Sequence, residues 1–384
     1  MSFLRPGDGA GREGTTTVKR ATGETAIREG EAARRLTRAV RAGRVTIGGG
    51  ARVTVQTMWK APLADGGLEE VRAALRDLAI EGCDLVRFAV PDLATADRLG
   101  ALAAASNFPL VADIHFDYRI ALRCLDFPIA KIRINPGNIG EEWKVAEVVR
   151  KARDRGVSLR IGVNGGSLPR RLAGEKDLAR AMVAAAESEM DVLTRLDFQD
   201  VVYSLKSSDV MATLAANRLF SRLYDAPLHL GVTEAGPLVP GIVKSAIGLG
   251  TLLQEGIGDT IRVSLSAPPA EEVRAGIEIL RTLGLRSTGV TIVSCPRCGR
   301  TSFDVHKFLE DATFLRQYSG PCMRVAVMGC VVNGPSEARN ADLGITGAGS
   351  EALIFEGERI VRRVSFGDAV SAFREEFERK CAKA

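Results

Sequence analysis

Residues 129–164, IAKIRINPGNIGEEWKVAEVVRKARDRGVSLRIGVN, contain the pattern on which the fold turns. A short β-rich run, IAKIRIN (129–135), gives way to Pro, Gly and Asn. A helix-length amphipathic segment over 141–156 follows and closes on Gly156, as helices often do at their C-terminus. A second run, VSLRIGVN (157–164), comes next. A strand, a crossover helix and another strand make a βαβ unit with parallel strands.

The same period extends in both directions. VTVQTM (53–58), DLVRFAV (84–90) and PLVADIHF (109–116) precede the unit, and DVVYSLK (200–206), PLHLGVTE (227–234) and DTIRVSLS (259–266) follow it. Amphipathic segments at 67–82 and 239–256 have helical spacing. Eight strand–helix units over about 230 residues predict an α/β fold, a (β/α)8 TIM-type barrel. The alternative is an open doubly wound sheet, but no GxGxxG follows the first strand. The reading divides the chain into a mobile tail (1–36, with a short helix near 27–36), a barrel (37–285) and a small α/β domain (286–384). In the last, 304–317 is helix-like, 323–329, 341–346 and 352–364 are strand-like, and 367–381 is an amphipathic helix.

Bulk composition narrows the function. The 384 residues include 52 basic and 47 acidic side chains, a net charge of +5, and only 5% are aromatic. That balance argues against a polynucleotide site. No apolar stretch is long enough to span a bilayer, and the N-terminal segment lacks the apolar core of a secretory signal. The expected setting is the cytoplasm.

In a barrel of this kind the chemistry lies at the C-terminal strand ends. Those ends present Lys60, Asp65, Arg87, Asp113, His115, Arg133, Asn135, Asn138, Asn164, Lys206, Ser207, His229, Glu234, Arg262 and Ser264. Arg87, Arg133, Lys206 and Arg262 bring four cations to one mouth, unless barrel carboxylates such as Asp113 or Glu234 absorb them. An unabsorbed cluster suits a di- or polyphosphate. Glu234 is a candidate proton relay.

Seven cysteines, an odd number without an export signal, favour a metal site over a disulfide framework. Cys83 and Cys124 sit in apolar contexts and read as core residues, and Cys381 reads as incidental. SCPRCGR (294–300) and MGCVVNGPSE (328–337) carry the informative thiols. Cys322 and Cys330 flank a strand-like run that would hold them about 25 Å apart, so one centre cannot take both. Glu337 is near enough to Cys330 to fold back as a fourth ligand. A structural zinc and a [4Fe–4S] cluster with one replaceable oxygen ligand both remain open at this point.

The motifs VQTM, DIHFDYRIAL, KIRINPGNIG, LRIGVNGGSL, YSLKSSD, PLHLGVTEAG, SCPRCGR and GCVVNGPSEAR–ADLGITG, in this order, resemble the bacterial 4-hydroxy-3-methylbut-2-enyl diphosphate synthase family of the methylerythritol phosphate route to isoprenoids. The resemblance runs from about residue 34 to the C-terminus, in the compact two-domain form. It implies an iron–sulfur oxidoreductase that opens and dehydrates 2-C-methyl-D-erythritol 2,4-cyclodiphosphate with electrons from flavodoxin or ferredoxin. It implies a [4Fe–4S] cluster on Cys295, Cys298, Cys330 and Glu337. It gives Arg87, Arg133, Asn138, Lys206, His229, Arg262 and Ser264 to the substrate and places Glu234 near the departing oxygen. It also implies a head-to-tail homodimer in which one chain's cluster domain caps the other's barrel. The chain departs from the family pattern at Trp59 and Lys60, where small polar residues are usual, and at Ser336, where Gly is usual. A phosphate contact by Lys60 and a mouth narrowed by Trp59 are the corresponding expectations. The alternatives are a non-redox phosphate-binding barrel enzyme with a structural zinc domain, and a binding protein with a zinc-based module.

Overall fold

The computed structural model describes residues 34–63, 67–172, 174–296, 298–332 and 340–382. The expected strands are all present: β3 (Thr54–Met58), β4 (Leu85–Ala89), β5 (Leu110–Asp113), β6 (Lys131–Ile134), β7 (Ser158–Asn164), β8 (Val201–Lys206), β9 (His229–Leu230) and β10 (Thr260–Ile261). They form one parallel sheet in the order β8-β7-β6-β5-β4-β3-β10-β9, and a parallel bridge from Tyr203 to Leu228 closes it into a barrel. The crossovers are α1 (Leu68–Ile80), α2 (Leu93–Ala105), α3 (Tyr118–Cys124), α4 (Pro136–Ile139), α5 (Glu142–Arg155), α6 (Leu178–Arg195), α7 (Val210–Leu223), α8 (Leu238–Gln254) and α9 (Pro269–Thr282). Short polar residues start several of them. Asp92, Asp117, Asp177 and Asp209 each accept a backbone N–H of the first helical turn. Gly156 ends α5 in the left-handed region, at φ 62°.

Strand residues alternate between two surroundings. Val86, Phe88, Ile132, Ile134, Leu159 and Ile161 point outward into the main core beneath the helices. Their neighbours Arg87, Lys131, Arg133, Ser158 and Arg160 therefore face the bore. The strand-start end of that bore is closed by an element absent from the sequence reading, a hairpin of β1 (Val40–Ala42) and β2 (Val45–Ile47). Its Val40, Ala42 and Ile47 pack with Leu85, Val111 and Val202 in a separate apolar cluster. Of the helix expected near 27–36, residues 34–36 are irregular and the remainder lies outside the described residues.

The C-terminal part is a five-stranded sheet, β11 (Val290–Ser294), β12 (Met323–Met328), β13 (Leu343–Ala348), β14 (Glu351–Glu356) and β15 (Arg359–Ser365), paired in chain order. β11 to β13 run parallel, and the last two pairings are antiparallel. The single run expected at 352–364 is two strands turning at Gly357, whose φ of 56° suits glycine. The helix expected at 304–317 is two, α10 (Val305–Asp311) and α11 (Phe314–Gln317). With α12 (Ala369–Cys381) they bury Phe308, Phe373 and Phe377 on one face of the sheet.

α9 fixes where this sheet hangs. It begins just after the β10 mouth loop and runs back to the strand-start end, a travel of about 20 Å. There Arg286 donates to the carbonyl of Gly82 at 3.4 Å and pairs with Asp84 at 3.6 Å, just ahead of β4. The small domain is therefore attached at the end of the barrel opposite the mouth.

Candidate functional site

Register carries the cations to one level. Asp113, Arg133 and Arg160 are cross-strand partners on β5, β6 and β7. Arg133 Nη1 lies 3.0 Å from Asp113 Oδ1, Arg87 Nε 3.4 Å from Asp113 Oδ2, and His115 Nε2 3.6 Å from Asp113 Oδ1. On the opposite wall Arg262 Nη2 is 3.1 Å from Glu272 Oε1 and its Nη1 donates to Ser264 Oγ at 2.7 Å. Two glycines make room. A Cβ at Gly162 would stand 3.0 Å from Arg133 Nε and 3.2 Å from Arg160 Nη2. A Cβ at Gly231 would collide with Lys206 Nζ and stand 2.8 Å from the Arg262 carbonyl oxygen.

Sequence reasoning missed four residues of this bore. Arg160 is buried, with Nε and Nη1 lacking partners among the described residues. Lys131 is fully buried and its Nζ has none. Both amide atoms of Gln56 are likewise unpartnered. Glu272, on α9, is the carboxylate that meets Arg262, a role anticipated for Glu234. The usable signal for Arg160 and Lys131 was strand parity, two residues from Gly162 and from Arg133.

The charges do not balance. Among the described residues Lys60, Arg87, Lys131, Arg133, Arg160, Lys206 and Arg262 face two buried carboxylates, Asp113 and Glu272. Burial alone would raise the Asp113 carboxyl, but its hydrogen bond with His115 and the nearby Arg87 and Arg133 outweigh it and hold it well below the usual range. Burial, helped by Arg160 and Arg87, pushes Lys131 down to about 7. Burial and the surrounding cations press Lys206 well below its ordinary value too. They do the same to His229, which lies fully buried with neither ring nitrogen partnered among the described residues, and so favour its neutral form. His229 is the first residue of β9 and lies below the mouth.

The remaining expected residues surround the opening. Asn138 is exposed on α4 and its N–H donates to the Asn135 carbonyl at 2.9 Å. Glu234 is exposed on the loop after β9, and Thr233 N–H ties that loop to the Ser207 carbonyl at 3.1 Å. Its φ of 50° is a left-handed conformation unusual for glutamate, the kind of local strain that often accompanies functional positions. Asp65 lies outside the described residues.

Lys60 and Trp59 are both held by the barrel's own residues. Lys60 Nζ is 3.0 Å from Glu272 Oε1 and donates to the carbonyls of Leu265 and Ala267, so it pins the loop after β3 to the loop after β10. Trp59 stacks on outward-facing Phe88 with ring centroids 5.7 Å apart. Trp59 thus packs on the barrel wall instead of narrowing the mouth, and Lys60 has Glu272 as its counter-charge.

The thiols gather at the strand ends of the small sheet. Cys295 follows β11, Cys330 is buried just after β12, and Gly329 N–H donates to Cys295 Sγ at 3.0 Å. A Cβ at Gly329 would fall 3.3 Å from that sulfur, so glycine keeps the cradle open. Cys298 sits on a turn closed by Thr301, whose Oγ1 accepts from Cys298 N–H at 3.1 Å, and Thr301 itself lies against Gly329. Among the described residues no three His, Cys, Asp or Glu side chains are gathered in ligating geometry. Glu337 and Ser336 lie outside them. Cys322, at the far end of β12, stands 3.9 Å from Thr291 Oγ1 and takes no part. Cys83 and Cys124 are core residues as expected, and burial pushes both thiols up to about 12.

Comparison with known proteins matches residues 37–277 to the GcpE TIM-barrel domain and residues 291–379 to the GcpE protein C-terminal domain. A protein of Symbiobacterium thermophilum named 4-hydroxy-3-methylbut-2-en-1-yl diphosphate synthase (flavodoxin) is 49% identical over 91% of this chain and 95% of its own length. One of the same name from Geobacter sulfurreducens is 47% identical over 90% of this chain and 98% of its own. Among solved structures, a dihydropteroate synthetase superposes with a TM-score of 0.49 at 13% identity, over 64% of this chain and 98% of that one. With both family domains present in order on a closed cationic barrel and a thiol-bearing sheet, this chain belongs to the GcpE family.

Proposed function

We propose that the chain catalyses the reductive ring opening of 2-C-methyl-D-erythritol 2,4-cyclodiphosphate to 4-hydroxy-3-methylbut-2-enyl diphosphate. Two electrons and two protons enter, a C–O bond to phosphate breaks, and the C3 oxygen leaves as water. The observation that carries the reading is the surplus of buried cations over carboxylates in the mouth, which calls for a ligand with two or more negative charges. The close relatives that bear this enzyme's name support it.

In this reading Arg87, Arg133, Arg160, Lys206 and Arg262 hold the phosphate oxygens, and Ser264 fixes the Arg262 fork. Asn138 orients the carbon skeleton at the rim. Glu234 carries a proton to the departing oxygen. His229 supports the floor of the site as a neutral imidazole. The sulfur donors beside the open cradle at Gly329 suit an iron–sulfur centre, and Cys295, Cys298 and Cys330, with Glu337 as fourth ligand, would hold a [4Fe–4S] cluster. When bound, the cluster supplies electrons one at a time from a reduced flavodoxin or ferredoxin.

A second copy completes the site. Each small domain hangs at the far end from its own mouth, so the cluster that serves one barrel comes from the partner chain. An exposed apolar stripe on α8, Leu238, Val239, Val243 and Ile247, supports a homodimer interface. The described residues contain no helix long and apolar enough to cross a membrane, in keeping with a cytoplasmic enzyme.

The test is turnover. Anaerobically purified, iron-replete protein given reduced flavodoxin and the cyclodiphosphate should release the linear allylic diphosphate. Iron-replete protein that binds the cyclodiphosphate yet leaves it unreduced with flavodoxin, ferredoxin or a chemical reductant would overturn the assignment.

A further inference from the structure

Beneath the ring of cations the bore holds a second, deeper polar layer. Lys131 stands two residues below Arg133 on β6, beside Ser158 in register on β7. Its ammonium nitrogen, Ser158 Oγ, both amide atoms of Gln56 and both ring nitrogens of His229 are buried with no hydrogen-bond partner among the described residues. Polar atoms so placed need water as partner, and internal water also gives protons a path. The hairpin plug shuts the lower end, so water entering this layer has to come from the mouth.

The charged groups facing Lys131 are nearly all of one sign. They are Arg87 on β4, Arg133 on its own β6, Arg160 on β7, Lys206 on β8 and Arg262 just past β10, with His229 neutral on β9. Among the described residues the anions of the bore lie above Lys131 and are already taken: Asp113 on β5 by Arg87, Arg133 and His115, and Glu272 on α9 by Arg262 and Lys60. An unpaired buried ammonium among cations costs several kcal/mol. Arginines cannot relieve the stress, because they keep their protons. An amine can. Lys206 feels the same pressure but ends β8 at the opening, where phosphate oxygens meet it directly. Lys131 is the amine out of reach of solvent.

We propose that Lys131 is a positioning residue of the diphosphate site, an amine that loses its proton in the empty barrel as solution turns alkaline and regains it as an ammonium when the diphosphate seats, so that above neutral pH the substrate enters with a proton. The inference rests on the diphosphate reading above. The amine lone pair takes the proton from solvent through the buried water, an N–H bond forms, and no oxidant or reductant is involved. Seating a dianion raises the Lys131 affinity for protons by offsetting Arg160 and Arg87. The uptake is therefore small below pH 6, where the empty-state amine is already charged, and grows as pH rises through the empty-state value of about 7.

The test uses oxidised holoenzyme without electron donor. The cyclodiphosphate is titrated calorimetrically between pH 6 and 9 in buffers of different ionisation enthalpy, which reads protons taken up per site. The phosphodiester groups of this ligand do not titrate in that range. The expected result is uptake rising toward about one proton per site by pH 8 to 9. Lys131→Met and Lys131→Arg, neutral and permanently charged, should both lose the uptake, with Lys131→Arg keeping the tighter binding. Binding to the unaltered enzyme without uptake overturns the inference, whatever the variants do. Undiminished uptake in Lys131→Met also overturns it and moves the proton to Lys206 or His229. No binding in any buffer overturns the diphosphate reading, and this one with it.

Discussion

Gly162 and Gly231 do by omission what no side chain in the mouth does by contact. Each stands where a single carbon would displace a cation or, at 231, the backbone of the neighbouring strand. Gly231→Ala should lower kcat/KM roughly 10- to 100-fold, because a displacement of about an ångström at a positioning group has that effect. The measurement is steady-state kinetics beside a thermal melt. An unchanged kcat/KM would remove Lys206 from the contact set. At this scale the sequence was informative where a cation stood within two residues of a strand's end, as Arg87, Arg133, Lys206 and Arg262 do. It was silent about Arg160, which lies mid-run in LRIGVN, and about Glu272, whose carboxylate reaches the mouth from a helix. Which cation meets which acid depends on cross-strand register, and register is a property of the closed barrel.

The β1–β2 hairpin shows how an element can be essential and nearly unreadable. Its strands have three residues each, and no helix follows them, so the strand–helix rhythm that reveals the other eight does not include it. Yet Ile47 is fully buried and seals the bore against Leu85, Val111 and Val202. Ile47→Ala should cost about 2 to 5 kcal/mol in chemical denaturation. A cost near zero would mean that the hairpin merely rests against the barrel. The small domain was legible as an α/β unit but not in its turns. The break at Gly357 and the split between α10 and α11 are decided by packing on the sheet, which local composition does not encode.

At the scale of the whole molecule the decisive relation is between the two ends of α9. If each working site joins one chain's barrel to its partner's sulfur centre, two disabled chains can rescue each other. A chain altered at Arg262 and another altered at Cys330 should each be inactive alone. After mixing and subunit exchange they should recover about a quarter of normal activity, since half of the random dimers are mixed and each then holds one intact site. The readout is reductase activity after re-equilibration, beside an unmixed control. Activity no higher than in the separate variants would mean that both halves of a site come from the same chain.

If the sulfur-bearing sheet, held a full helix from its own chain's chamber, serves the chamber of another copy, throughput becomes a matter of dilution as well as of chemistry. On that arrangement a solitary copy would own the parts and be unable to use them together. As the preparation is thinned past the point where copies separate, output per chain should fall rather than hold steady.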